Sequence, residues 1–191
     1  KKPDSYLVGC LVANNLADSV AGGVFIGSGE IINSTIAMNT AVDDGGGITG
    51  EGGAWTIVNS IVYGNDATNG TNKNIQKVSN TAANDAVNSA IDANGFDATW
   101  NATNVTSLDA SPFVGGDGED SYMLPYSSSL INAGDTIGYY DLIPPKDLVG
   151  LSRYMDGAID LGAYERMVAY VVTTDADNGA GSLRQLIADA V

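Results

Sequence analysis

Ile31-Ile-Asn-Ser-Thr-Ile-Ala-Met-Asn39 has a close counterpart on each side of it: Leu7-Val-Gly-Cys-Leu-Val-Ala-Asn-Asn15 and Ile57-Val-Asn-Ser-Ile-Val-Tyr-Gly-Asn65. The first two segments start 24 residues apart and the last two start 26 residues apart. Short apolar alternation that recurs at this length is typical of one coil of a stacked β-solenoid. The repeat therefore predicts an all-β fold, a parallel β-helix of about three coils with an irregular C-terminal cap.

Three columns of residues share a register in these segments. They lie two positions apart, so alternation along a strand places them on one face. We expect this face to fill the interior of the coils. The columns are Val8, Ile32 and Val58; Cys10, Ser34 and Ser60; and Val12, Ile36 and Val62.

Each segment ends in asparagine, at Asn15, Asn39 and Asn65. Asparagine tolerates turn conformations, and its amide can bond to the same group one coil away. A structural asparagine ladder is the favoured interpretation, and a simple turn marker is the alternative.

Composition restricts the function. The 191 residues include 8 basic and 23 acidic side chains and no histidine, a formal net charge of −15. Such a charge opposes binding to nucleic acid or anionic membranes. No apolar run is long enough to insert into a membrane. Cys10, the single cysteine, is expected to be a small buried residue rather than a disulfide partner or nucleophile.

A glycine corner also repeats, at Gly22-Gly23 and Gly46-Gly47, but the third copy reads Asn72-Lys-Asn-Ile75. This loss predicts that residues 1–72 hold the last coils and residues 73–166 a capping region. Because Lys1 leads almost directly into a coil, the native start is expected to be missing.

Residues 112–165 carry several motifs in order: Pro112-Phe-Val114, Asp120-Ser-Tyr-Met-Leu124, Ser128-Ser-Leu-Ile-Asn-Ala-Gly-Asp135, Asp147-Leu-Val-Gly-Leu-Ser-Arg153 and Asp160-Leu-Gly-Ala-Tyr-Glu165. With the repeat, they resemble the C-terminal part of bacterial right-handed parallel β-helix proteins with a choice-of-anchor Q domain. That resemblance covers roughly residues 5–166. It implies a right-handed β-helix and a secreted or surface location, as in Bacteroidetes, but no established reaction.

The capping region is expected to cover the apolar end of the last coil, which would otherwise expose unpaired strand edges. Candidate cover residues are Phe113, Leu124, Leu130, Ile131, Leu161 and Tyr164. A structural ion pair is predicted between Arg153 and the acidic residues near it in sequence, Asp147, Asp156 and Asp160.

Residues 167–191 combine a strand signal at Tyr170–Thr174 with a helix that Ser182 would cap. They are similar to the linker strand and N-terminal capping helix of a following β-helix module.

Catalysis is not favoured by the coils. No Lys, Arg or His occurs between Lys2 and Lys73, so a cationic base for lyase chemistry is missing there. Asp18, Asp43, Asp44 and Asp66 follow the ladder asparagines and are interpreted as a solvated acidic edge rather than a hydrolase pair. No cofactor is expected. Calcium is a candidate ligand for two acidic turns, with possible oxygen donors at Asp117, Glu119, Asp120, Asp175 and Asp177; ordinary turns are the alternative interpretation.

The leading hypothesis is a non-catalytic extracellular module, structural or adhesive, within a large secreted or cell-surface protein. Its expected partners are other domains of the same polypeptide, and carbohydrate or another surface protein. Two alternatives stay open: the accessory end of a polysaccharide lyase or glycoside hydrolase with upstream catalytic coils, and a calcium-stiffened stalk.

Overall fold

The computed structural model describes residues 5–83, 85–95, 100–115, 121–137, 139, 141–154, 157–166 and 172–189. Within them the chain is an all-β parallel β-helix of about three turns with almost no α-helix. Its strands are two to four residues long. They are short because residues that favour corners, chiefly asparagine, glycine and aspartate, interrupt most of the apolar runs.

Three full coils stack in chain order. Coil 1 (residues 5–28) contains β1 (Tyr6–Val8), β2 (Leu11–Ala13), β3 (Leu16–Ala17) and β4 (Val24–Ile26). Coil 2 (residues 29–54) contains β5 (Gly29–Ile32), β6 (Thr35–Ala37), β7 (Thr40–Ala41) and β8 (Ile48–Gly50). Coil 3 (residues 55–83) contains β9 (Trp55–Val58), β10 (Ile61–Tyr63), β11 (Asp66–Ala67) and β12 (Ile75–Lys77).

Two reduced coils continue the stack beyond residue 72, where the loss of the glycine corner predicted its end. They contain β13 (Ala86–Val87), β14 (Ala90–Asp92), a 3₁₀ turn (Ala93–Gly95), β15 (Ala102–Thr103) and β16 (Thr106–Leu108). Ile57 pairs with Ala86, and Ala86 pairs with Ala102, which are steps of 29 and 16 residues. These steps depart from the repeat of 24 to 26 residues, so the sequence pattern did not reveal them.

The strands form four parallel sheets, one along each side of the solenoid. The first sheet has the order β1-β5-β9-β13-β15 and the second has the order β2-β6-β10-β14-β16. The third (β3-β7-β11) and the fourth (β4-β8-β12) have three strands each. The reduced coils therefore extend only the first two sheets.

The solenoid interior is an apolar cluster drawn from several sheets. Ile31, Ile36 and Ile48 of coil 2 are fully buried in it, and Ile57 and Val62 continue it in coil 3. Each isoleucine taken from water contributes about 1.5–3 kcal/mol. This cluster is the main source of stability for the stack.

One predicted column faces the opposite way. Val8, Ile32 and Val58 are in register as expected, but they belong to a separate cluster with Ile143 and Ile159 outside the first sheet. The corner after each has a positive φ, at Gly9, Asn33 and Asn59, with values of 62°, 44° and 49°. This corner breaks the two-residue alternation between the first and second sheets, so the interior positions are Leu7, Ile31 and Ile57 instead.

The predicted cap lies along the side of the solenoid, not over its end. The described residues from Phe113 to Arg166, called the outer layer below, pack on the outer faces of the first two sheets. Phe113, Leu124, Leu130 and Leu161 contact outward residues of the second sheet in coils 2 to 4, which are Ala37, Ile61 and Ala90. The expectation that they cover the last coil is wrong, because the second sheet itself presents an apolar outer face.

The C-terminal segment contains α1 (Leu183–Asp189). Ser182 is buried, and its Oγ accepts a hydrogen bond from Gln185 N–H at 3.2 Å, which caps the helix. Of the predicted strand, Tyr170 and Val171 lie outside the described residues, and residues 172–174 form no strand. The proposed division at residues 72 and 166 stays a prediction.

Candidate functional site

The predicted ladder asparagines are joined by hydrogen bonds from coil to coil. Asn15 Nδ2 donates to Asn39 Oδ1 at 2.8 Å, and Asn39 Nδ2 donates to Asn65 Oδ1 at 2.9 Å. The backbone N–H of Asn15 and of Asn39 donates to the same acceptors at 3.0 and 2.9 Å. Each Oδ1 thus satisfies two donors of the coil before it.

Asn74, which the repeat did not predict, completes this ladder. Its Oδ1 accepts from both the N–H and the Nδ2 of Asn65 at 3.0 Å. Asn74 stands in the same column as Gly23 and Gly47, one residue before the strands of the fourth sheet. A Cβ at these two glycines would lie 2.9 and 2.7 Å from the Nδ2 atoms of Asn39 and Asn65, respectively. The glycines make room for the ladder, and at its last step an asparagine side chain takes that room. The missing glycine corner was the available signal.

The small column of the repeat forms a second ladder. Backbone N–H groups of Cys10, Ser34 and Ser60 donate to the Oγ atoms of Ser34, Ser60 and Ser89 at 3.2, 3.0 and 3.1 Å. The three serines are completely buried. Cys10 is a free, partly buried thiol at the start of this column. At the corner between the first two sheets, these backbone N–H groups have no carbonyl partner in a strand. The serine hydroxyls accept their hydrogen bonds instead.

A third asparagine column attaches the outer layer. Asn59 Oδ1 accepts from Asp135 N–H at 3.0 Å, and Asn59 Nδ2 donates to the Asp135 carbonyl at 2.6 Å. Asn33 Nδ2 donates to the Asp160 carbonyl at 3.2 Å. Both asparagines are fully buried at the corner between the first two sheets. Their positive φ turns the side chains from the interior toward the outer layer.

The charged centre of the outer layer is Arg153, which is completely buried. Its ion-pair partner is Glu165, with Nη1 to Oε1 at 2.9 Å, and its Nη2 donates to the Ala163 carbonyl at 2.8 Å. Sequence proximity did not identify Glu165, which is 12 residues away but belongs to the closing motif of the resemblance.

The predicted acidic partners of Arg153 bind backbone instead. Asp147 accepts N–H groups of Val149, Leu151 and Glu165 at 2.8 to 3.0 Å. Asp160 accepts those of Asn132 and Arg166 at 2.8 and 2.6 Å. The third candidate, Asp156, lies outside the described residues. Arg153 attracts Asp160 electrostatically, but it makes its direct ion pair with Glu165.

Burial controls the protonation of this cluster. It raises the pKa of Glu165 to about 7, with the nearby Asp160 charge acting in the same direction and Arg153 opposing it. Burial also raises the pKa of Asp160, against hydrogen bonds from Asn132 and Arg166. Both directions follow from the cost of holding a carboxylate away from water.

Another buried carboxylate, Asp85, lies near the end of coil 3. Asp85 Oδ2 is 2.7 Å from Lys77 Nζ and accepts Asn101 N–H at 2.8 Å, while Asp85 Oδ1 accepts Asn80 Nδ2 at 2.7 Å. Asn80 in turn bonds the backbone N–H and carbonyl of Trp55. The cluster joins coil 3 to the reduced coils, and no repeat or motif indicated it.

The acidic edge is also engaged in structural contacts. Asp44 Oδ1 accepts N–H groups of Thr71 and Asn72 at 2.9 Å, and Asp66 pairs with Lys73 at 2.8 Å. Asp43 is exposed and bonded to Ser19 Oγ at 3.2 Å.

The calcium candidates divide into two groups. Asp117, Glu119 and Asp120 lie outside the described residues. Asp175 and Asp177 are exposed, and Asp177 pairs with Arg184 at 2.9 Å. In the part of the chain that the structure describes, no group of three or more Asp, Glu, Cys or His side chains could hold a metal. Calcium binding stays a prediction.

No protein-family model matches this chain, and neither a curated protein nor a solved structure matches it. Within the described ranges, no helix has the length and apolarity required to cross a bilayer.

Proposed function

We propose that this chain is a non-catalytic structural or adhesive module of a secreted or cell-surface protein. One observation carries the proposal. The buried carboxylates among the described residues, which are Asp85, Asp92, Asp147, Asp160 and Glu165, each accept two or more hydrogen bonds from the fold itself. Their hydrogen-bonding capacity is directed at chain segments rather than at an open cleft.

The cations nearest to the coils support the same proposal. Lys73 and Lys77 are the first basic residues after Lys2, and they are paired with Asp66 and Asp85. A lyase base must approach a substrate proton directly. Lys77 is bonded to a buried carboxylate of its own chain, Asp85, and is therefore poorly placed for that role, whereas Lys73 and Asp66 form an exposed pair.

The family resemblance provides the rest of the proposal. The motifs from Pro112 to Glu165 supply the outer-layer residues that pack on the second sheet, and Arg153 and Glu165 from two of these motifs form the buried ion pair of the outer layer. We therefore propose a bacterial surface protein with a choice-of-anchor Q domain, whose partners are neighbouring domains and carbohydrate or another surface protein.

Incubation of the full chain with acidic and neutral glycans tests this proposal, with mass-spectrometric detection of products. We expect no turnover. Product formation that is abolished by Asp43→Asn would establish an enzyme, because Asp43 is exposed and its replacement leaves the fold intact. Asp44→Ala is a poor probe, since Asp44 holds the backbone at Thr71 and Asn72.

The runner-up function, the accessory end of a carbohydrate-active enzyme, is distinguished by upstream sequence. Further coils with clustered Asp and Arg or Lys would favour the enzyme. Tandem copies of this unit would favour the adhesin.

A further inference from the structure

The Asp85 carboxylate holds an amine and a carboxamide together at the end of coil 3. Its Oδ2 is 2.7 Å from Lys77 Nζ, and its Oδ1 accepts a hydrogen bond from Asn80 Nδ2 at 2.7 Å. The side chain of Asp85 is buried and that of Lys77 is largely covered, with 20% of its surface exposed. One carboxylate therefore bridges a nucleophilic group, the lysine amine, and an acyl group, the asparagine amide.

The side-chain carbonyl of Asn80 is polarised by two backbone donors. Its Oδ1 accepts the N–H groups of Trp55 and Ala82 at 3.0 and 2.9 Å. Two fixed N–H donors on one carbonyl oxygen form the kind of site that stabilises the oxyanion of acyl transfer. The carbonyl carbon of Asn80 is therefore the electrophilic centre of the cluster.

Aromatic side chains shield this corner from water. The Trp55 indole is completely buried, and the ring of Trp100 meets it edge-on with the centroids 6.2 Å apart. The indole also packs on Gly50, which is the register partner of Lys77 in the fourth sheet. Limited access of water favours attack on the amide by the lysine amine over hydrolysis.

We propose that Lys77 and Asn80 form an intramolecular isopeptide bond, with Asp85 as the general base and general acid. Asp85 accepts a proton from the Lys77 ammonium, and the neutral amine attacks Asn80 Cγ. The N–H groups of Trp55 and Ala82 stabilise the oxyanion that forms at Oδ1. Asp85 then gives its proton to Nδ2 and the Cγ–Nδ2 bond breaks. The remaining excess proton of the attacking nitrogen passes through Asp85 to the departing ammonia, so ammonium leaves and no other reactant is consumed.

The bond fixes the corner at which coil 3 closes. Asn80 Oδ1 accepts the Trp55 N–H and its Nδ2 donates to the Trp55 carbonyl, which joins the end of the coil to its start. Because Lys77 and Asn80 are three residues apart, the cross-link restricts the corner and closes no long loop. The reaction occurs once in each chain, so it is compatible with a module that has no turnover and does not depend on adhesion or on a surface location.

Intact-protein mass spectrometry of the full chain tests the proposal. We expect a mass below the sequence mass by one ammonia, and a digest that contains a peptide with Lys77 joined to Asn80. Lys77→Arg keeps a cation beside Asp85, and Asp85→Asn keeps the shape of the site, yet both should retain the full sequence mass. Lys73→Arg is the matched control, because Lys73 pairs with Asp66 on the surface, and it should lose ammonia as the parent does.

Three outcomes would overturn the proposal. The first is an unmodified mass in a folded chain, with folding shown by slow amide exchange in coil 3. The second is the loss of one water with Lys77 joined to Asp85, which would exclude Asn80 as the acyl group. The third is a loss of ammonia that persists in Lys77→Arg, which would assign the loss to ring closure at an Asn-Gly pair such as Asn69-Gly70.

Discussion

Coils 1 and 3 have nearly the same sequence pattern but different surroundings. In coil 3, Asn65 is buried and bonded to Asn74, and Ile57 and Val62 are completely covered. In coil 1, the equivalent Asn15 is exposed, and Leu7 and Val12 are only partly buried. The difference shows that a coil makes its full set of hydrogen bonds only when a neighbour lies on each side, because half of its backbone and ladder bonds are to the next coil.

A charge inserted into one interior column should give the largest difference in stability loss between a covered coil and coil 1. Ile36→Asp places an unpaired carboxylate in the buried core, and we expect it to lower the free energy of unfolding by about 4 kcal/mol or more. Val12→Asp, one coil away in the same column, should cost less than half as much because its carboxylate reaches water at the open edge. Urea denaturation followed by circular dichroism measures both. Equal losses would contradict the open edge.

Removal of single ladder asparagines makes the same comparison with polar groups. Asn65→Ala removes the shared acceptor of the Asn39 N–H and Nδ2 in a buried site, and it removes one of the two donors to Asn74 Oδ1, which should cost about 2–3 kcal/mol. For Asn15→Ala we expect the free energy of unfolding to fall by less than about 1 kcal/mol. The readout is the denaturation midpoint of each variant against the parent. A larger effect at Asn15 would mean that its edge is covered.

A change of pH alters the outer layer while leaving the ladder hydrogen bonds untouched, because the asparagine and serine side chains that form them do not titrate. Glu165 has a pKa of about 7 when folded and an ordinary value of 4.5, so the folded state binds more protons between these values. Its stabilising contribution is complete below pH 4.5 and is lost as the pH rises through 7. The loss should be on the order of 1–3 kcal/mol. Asp160, whose pKa is also raised, acts in the same direction.

Glu165→Gln is the control for this pH dependence, and its stability should vary less between pH 4.5 and 7.5. An unchanged slope in that variant would show that other groups carry the effect. The difference between coils 1 and 3 should persist at both pH values, because it arises from stacking.

The smallest effect concerns the corner column of Asn14, Met38 and Gly64. All three have positive φ, at 57°, 55° and 66°, a conformation that is costly for methionine. Met38→Asn should stabilise the protein by up to about 1 kcal/mol, as judged by the thermal midpoint. Asn14→Met should destabilise by a similar amount. A loss of stability in Met38→Asn would show that Met38 packing over Gly64 outweighs the strain.

The repeat was sufficient to predict the stacked strands of coils 1 to 3, because register follows directly from the 24- and 26-residue steps. It was insufficient at the corners. Alternation assigned Ile32 and Val58 to the interior, whereas positive φ at Asn33 and Asn59 separates the two sheets. The adjacent apolar residues Ile31-Ile32 and Ile57-Val58 indicated this arrangement. Neighbouring residues point to opposite faces of a strand, so two buried neighbours require that both faces be covered.

Longer-range contacts had no sequence signature. Arg153 has several acidic neighbours in sequence, and only the folded chain selects Glu165. Asp85 likewise collects Lys77, Asn80 and Asn101 from separate segments. A single sequence gives no basis for choosing among such pairs, because the choice depends on how the outer layer and the reduced coils return to the stack.

The course of the outer layer has a mechanical consequence. Its contacts run from Asn14 and Val8 in coil 1 to Leu108 in the last reduced coil, parallel to the stacking axis. A solenoid without such a layer, pulled along that axis, would unfold one coil at a time. Here the same force also loads the outer layer in shear, so several coils must separate from it together. Tension transmitted through this part of the chain would therefore be resisted by many contacts at once.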